Sequence, residues 1–251
     1  MTTRTPAAAG GVPPAPHPRA SDAGPVWSAL REIRPGYARA AVEFDRSTRG
    51  EALDAKTRAF VRMALNGAVT HLREDALREA MSDARNAGAS AEEILEVLLV
   101  TCTIGVHGMN ADVLAEVLAE RGEPVDTEAL SPAQERIRED YRRTRGYWRD
   151  FLDPTLALAP DFLEAYLGFS GAPWREGALD PKTREFLYLA FDTSPTHLHM
   201  AGLRVHIHNA LDHGANIDEI VAVMAMSAGL GLQTLEAANA AWQAVYLTDN
   251  S

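Results

Sequence analysis

The chain carries one helical pattern written twice. Residues 53–110 align with residues 179–236 at a constant offset of 126, without gaps and with 19 identities in 58 positions. LDAKTRAF (53–60) returns as LDPKTREF (179–186), and THL (70–72) returns as THL (196–198). ALREAMSDARNAGASAEEI (76–94) returns as GLRVHIHNALDHGANIDEI (202–220). A repeat of this kind constrains the architecture before any single residue does. It also provides an internal control. Where one copy holds a reactive side chain and the other a bland one, the fold does not demand the reactive one.

No segment alternates as a strand would, whereas helix signals are dense and recur in both copies, so the expected class is all-α with the two repeats packed as a pseudo-dimer. Asp54 and Asp180 sit where N-caps belong, and Pro181 follows at the favoured first position. The next helix is expected to open at Thr70 or Thr196 and to end at Gly88 or Gly214, where glycine takes a left-handed conformation most easily. Ser90 with Glu93, and Asn216 with Glu219, form capping boxes for a third helix. Gly105 and Gly231 then break the pattern, and last helices cover Ala111–Ala119 and Ala237–Tyr246. Further helical stretches precede each copy, at Trp27–Glu43 and Pro160–Phe169, and Ser131–Leu152 reads as a connecting helix. The organisation is therefore a Pro/Ala/Gly-rich disordered tail (1–24), a first repeat (25–125) and a second repeat (126–251).

The formal net charge of −11 argues against nucleic acid or an anionic membrane as the main partner. A single cysteine, Cys102, excludes an internal disulfide and suits a reducing compartment. It aligns with Ala228 and is expected as a small core residue. No uninterrupted apolar run reaches the roughly 18–20 residues of a membrane span, and the N-terminal stretch lacks the continuous apolar segment of a signal peptide. The expectation is a cytoplasmic protein.

The copies differ most in one helix. On a wheel of 100° per residue, His199, Gly202, His206, Asn209 and His213 form a stripe between two apolar flanks, as a helix facing an interior cleft would. The first copy has Arg73, Ala76, Ala80, Asp83 and Ala87 there. Glu185, on the preceding helix, is matched by Ala59. The second copy therefore holds the titratable groups, and the first keeps the scaffold. His197 has an equivalent in His71 and, with Arg204 and His208, falls on the side assigned to solvent. His107 aligns with Gln233 beside the Gly105 break and is a further candidate for lining a site.

The run Leu179-Asp180-Pro181-Lys182-Thr183-Arg184-Glu185, followed by His206, Ala210, Gly214-Ala215 and Glu219-Ile220, resembles the carboxymuconolactone decarboxylase/alkylhydroperoxidase D-like family. The resemblance implies an all-α fold of two such repeats. It also implies a homotrimer that mimics the hexamer of single-copy members, testable by light scattering. Peroxidase members of the family use a C-x-x-C pair before the histidine, with an upstream glutamate. Here His199 and Gly202 occupy the cysteine positions, and the Glu185-to-His206 spacing is two residues longer. Without a thiolate to attack a peroxide, the peroxidase reading falls.

Decarboxylase members work without a cofactor, and their likeness implies a lyase acting on a small carboxylate or lactone. His206 is then the general acid/base, His199 a second donor or charge partner, and Glu185 the group that orients an imidazole. Gly202, Tyr188, Trp174 and Arg184 are candidates for substrate contact. Two alternatives stay open. Glu185, His199 and His206 would make a two-His-one-carboxylate metal set, although seven residues separate the histidines by about 10 Å of helical rise. A non-catalytic oligomeric binding scaffold is the other.

Overall fold

The computed structural model describes residues 24–248. In chain order the helices are α1 (Pro25–Ile33), α2 (Pro35–Ser47), α3 (Ala55–Gly67), α4 (Glu74–Asn86), α5 (Ala91–Cys102), α6 (Ala111–Glu120), α7 (Pro132–Arg145), α8 (Asp153–Leu158), α9 (Pro160–Glu176), α10 (Pro181–Asp192), α11 (Met200–Asp212), α12 (Ile217–Ala228), α13 (Gln233–Ala237) and α14 (Asn239–Tyr246). Short 3-10 turns occupy Thr103–Gly108, Asp150–Leu152 and Gly229–Leu232. No strand occurs among the described residues. The all-α expectation holds. The expected tail lies outside the described residues apart from Gly24.

The repeats are units of sequence rather than of packing. The described residues form one compact unit from 24–44 with 231–248, and a second from 45–230. The boundary drawn near residue 125 falls inside the second. In the smaller unit α1 packs on α13 and α14, and the Val26 amide donates to Asn239 Oδ1 at 3.1 Å. The helix expected over Trp27–Glu43 is two helices, because Pro35 cannot continue α1 and starts α2 instead.

In the larger unit, α3 and α10 are the paired central helices of the two copies, packed on each other, with α4 and α5 flanking α3 and α11 and α12 flanking α10. From Thr183 to Asp192 every residue of α10 is buried. The near-continuous apolar run FLYLAF suits that position, since a helix apolar all round must be covered all round. Phe60, Met63, Phe186, Leu187 and Phe191 join both copies into one core. A smaller core of Ile137, Leu152, Leu156 and Leu163 holds α7, α8 and α9 together.

The local signals act as read. Asp54 accepts from the amides of Lys56 and Thr57, and Asp180 from that of Thr183. Both capping boxes form, and Gly88 and Gly214 adopt φ of 87° and 86°. Lys56 reaches Glu93 at 2.6 Å and Lys182 reaches Glu219 at 2.8 Å. The recurring Lys thus ties each central helix to its copy's capping box.

Three expectations need correction. α4 and α11 open at Glu74 and Met200, not at the threonines, because a tight turn intervenes. In it Leu72 and Leu198 take left-handed φ of 37° and 52°, a strain on the order of 1 kcal/mol or more for a non-glycine residue. Cys102 is exposed at the end of α5 rather than in the core; its neighbours Thr101 and Thr103 take the buried positions. By length and composition, 91–120 and 217–246 do pass for membrane spans, at mean hydropathies of 1.5 and 1.4. Counting uninterrupted apolar residues misses them because Thr, Ser and Gly dilute the runs. Each is broken by a 3-10 turn, and Val97, Val100 and Val223 within them are core residues.

Candidate functional site: a histidine and carboxylate cluster beside a polar pocket

The sequence contrast between the copies converges on one place in the larger unit. Glu185 projects from the middle of α10 and is fully buried. Its Oε2 lies 2.6 Å from His206 Nδ1 on α11, and its Oε1 accepts from Asn209 Nδ2 at 3.2 Å. Tyr188, one turn after Glu185, stacks on the His206 ring at 4.5 Å and 13°. An imidazole held by a carboxylate through Nδ1 presents its other nitrogen to the reacting group. His206 Nε2 accordingly faces Asp192, 3.9 Å from Oδ2.

Asp192 ends α10, and the strained turn at Leu198 folds the chain back on it: the amide of His199 donates to the Asp192 carbonyl at 2.9 Å. His199 is the N-cap of α11, its Nδ1 accepting from the Gly202 amide at 3.2 Å. His197 lies in the same turn, and the 3-10 segment of the first copy brings His107. His107 Nδ1 and His197 Nε2 are 2.6 Å apart, and His107 stacks on His199 at 3.8 Å. Burial, then repulsion from His199, pulls His107 down to about 4 against the opposing attraction of Asp192. Burial also lowers His197. Both imidazoles are therefore neutral donors of lone pairs at ordinary pH.

A pocket of about 190 Å³ opens beside these groups. His107, His199, Gly202, His206, Tyr188, Arg145, Tyr147 and Tyr166 are among the residues that line it. Arg145 comes from the last turn of α7, its guanidinium stacked on Trp174 at 4.6 Å and over Tyr188 at 5.3 Å. Its Nε is buried with no hydrogen-bond partner among the described residues. Burial alone would lower Arg145, but Tyr188, Tyr147, Tyr141 and Glu185 around it hold its pKa above the ordinary arginine value. Burial pushes the Tyr188 hydroxyl up. The pocket lining thus combines a fixed cation with an imidazole backed by a carboxylate.

Of the residues singled out from sequence, Glu185, His206, Tyr188, Gly202 and His199 come together. Trp174 stands behind the wall, its Nε1 3.5 Å from the Tyr188 hydroxyl. Arg184 is engaged elsewhere, its Nε meeting Glu96 Oε1 at 2.5 Å in a buried ion pair. His213 is exposed at the C-cap of α11. His197 is not on the solvent side of a helix, because α11 begins after it; its side chain is only 13% exposed. The set Glu185, His199 and His206 is divided, since Glu185 serves His206 Nδ1 while His199 belongs to the group around Asp192. Asp192, Arg145 and Tyr147 were not found from sequence. A signal for Asp192 existed in its pairing with Asn66 at the repeat offset.

Gly202 makes this packing possible, since a Cβ there would collide with Asp192 Oδ2 and His199 Nδ1. Gly→Ala inside a helix ordinarily stabilises by about 0.5–1 kcal/mol. Overpacking a filled site costs about 1–3 kcal/mol, so Gly202→Ala is expected to be net destabilising. A urea unfolding midpoint at or above that of wild type would show that Asp192 and His199 do not need this gap.

A model of the carboxymuconolactone decarboxylase family matches residues 160–245. A crystal structure from Burkholderia xenovorans LB400, provisionally named a gamma-carboxymuconolactone decarboxylase subunit, superposes with a TM-score of 0.80 at 36% identity, covering 88% of this chain and 90% of that one. No curated protein sequence matches the chain.

Proposed function

Since the chain belongs to the carboxymuconolactone decarboxylase family, we propose that it is a decarboxylase-type lyase for a small carboxylated or lactone-ring metabolite, with His206 and Glu185 as its proton-transfer pair. The observation that carries this reading is the 2.6 Å contact between His206 Nδ1 and Glu185 Oε2 at the wall of a pocket that also holds Arg145. The first copy has Ala80 and Ala59 where these two stand, so the chemistry belongs to the second copy.

The steps follow from charge. A carboxylate entering the pocket is drawn to Arg145, whose guanidinium offers a planar fork of donors. Cleavage of the bond to the carboxyl carbon releases CO2 and leaves its electron pair on the substrate as an enolate-like anion. That anion is quenched when His206, as imidazolium, gives its Nε2 proton to carbon. Glu185 stabilises the imidazolium before transfer and keeps the ring aligned afterwards. Tyr188 and Tyr166, kept neutral by burial, and Tyr147 offer hydroxyls to oxygen atoms of the substrate.

The test is a panel of small carboxylated lactones and β-keto acids in D2O, with CO2 release and deuterium incorporation followed together. Enzyme-dependent CO2 release, with deuterium at the carbon that lost it, is the expected result. Thermal stabilisation by panel members without any CO2 release would instead make the protein a binding scaffold.

A further inference from the structure

We propose that His107, Asp192, His197 and His199 form a binding site for one divalent first-row transition-metal ion. This site stands independently of the lyase reading.

The four side chains already converge. One ligand atom from each lies within 4.8 Å of all the others. His107 Nδ1 and His197 Nε2 are each 3.9 Å from Asp192 Oδ1, and His199 Nδ1 is 3.7 Å from Oδ2. Ligands about 2.0–2.2 Å from an ion stand roughly 3 Å or a little more from each other. The carboxylate–imidazole distances need to shorten by less than an ångström, the widest pair of the group by somewhat more, and the 2.6 Å histidine pair must part by about half of one. His199 would exchange the bond it accepts from Gly202 for the ion.

Asp192 stands apart from the other three in its burial. It is fully buried, and neither carboxylate oxygen has a hydrogen-bond partner among the described residues. A buried carboxylate without a donor or a cation is unfavourable. Its nearest polar neighbours are imidazole nitrogens. Three imidazoles and one carboxylate suit zinc, iron or nickel in preference to calcium or magnesium.

The opposite copy again serves as the control for each position. At the repeat offset the four positions read Gln233, Asn66, His71 and Arg73. The first copy keeps the left-handed turn and the same return hydrogen bond, from Arg73 amide to Asn66 carbonyl at 2.8 Å. The turn is therefore a requirement of the fold, and His107, Asp192 and His199 are not. His206 completes the arrangement from outside: Glu185 holds its Nδ1 while its Nε2 points toward Asp192. An ion here would abut the pocket and offer it an open coordination position.

The experiment uses the full chain without a histidine tag, stripped with a chelator. It is titrated with Co²⁺, read by visible d–d absorption, and with Zn²⁺ against a chromophoric competitor. One ion per chain at micromolar or tighter affinity is expected. His107→Gln, Asp192→Asn and His199→Arg install the residues the other copy uses, so the fold should persist, as circular dichroism will report. Each is expected to weaken binding at least about tenfold, whereas His208→Ala, at an exposed position on α11, should leave it unchanged. Absence of Co²⁺ and Zn²⁺ binding by folded wild type overturns the proposal. So does binding that all three site variants preserve. Because nothing here reads turnover, either result leaves the lyase assay to be judged separately.

Discussion

His206→Gln is expected to lower kcat on the cognate acid by about 10²–10⁴-fold, the usual contribution of a positioned general acid or base, while KM changes only a few-fold. The split follows from where the groups stand. On the proposed reading His206, which meets Glu185 at 2.6 Å, supplies the proton, whereas Arg145 of the same pocket holds the substrate carboxylate. Glutamine can still donate an amide proton to Glu185, so the buried carboxylate keeps a partner. The first copy builds the same helix with Ala80 in this register, so the fold does not depend on an imidazole. The melting temperature should move little, apart from the lost stack on Tyr188. Steady-state kinetics beside a thermal melt decide the matter. A variant that keeps wild-type kcat removes His206 from the proton-transfer role, and a rise in KM alone would make it a binding residue.

The features legible in the sequence are those set by neighbours within a helical turn. Asp54, Asp180, Ser90 and Asn216 cap as their identities dictate, and Gly88 and Gly214 end helices because glycine takes that φ with little strain. Comparing the copies found Glu185 and His206, because Ala59 and Ala80 are plain blanks. The same comparison was weaker where the blank is also polar, as with Asn66 opposite Asp192. It could not be applied to Arg145 and Tyr147, which lie outside the aligned stretch. His197 was misplaced because a helical wheel says nothing about where the helix begins, and the turn at Leu198 lies in a conformation that leucine rarely adopts. Arg184 was misplaced because its partner sits 88 positions earlier, on α5.

That last pair carries the largest expected effect on stability. Arg184 and Glu96 have side chains 7% and 5% exposed, and their contact is 2.5 Å. Glu96 also accepts from the amides of Ala178 and Leu179, at 2.5 and 2.8 Å, and so fixes the chain just before α10. Removing one member of a buried pair strands the other charge, which typically costs about 3–5 kcal/mol. Arg184→Met is therefore expected to destabilise by about that much. Adding Glu96→Gln should recover a large part of the loss, because the amide oxygen still accepts from the two backbone donors without leaving a charge in the core. Urea unfolding of wild type, both single variants and the double variant yields the coupling directly. Arg184 was also a candidate for holding a substrate carboxylate, and the same proteins separate the two roles. If it is structural, the double variant regains stability with KM close to wild type. If Arg184→Met unfolds like wild type and raises KM tenfold or more, the ion pair is incidental and the guanidinium belongs to the substrate.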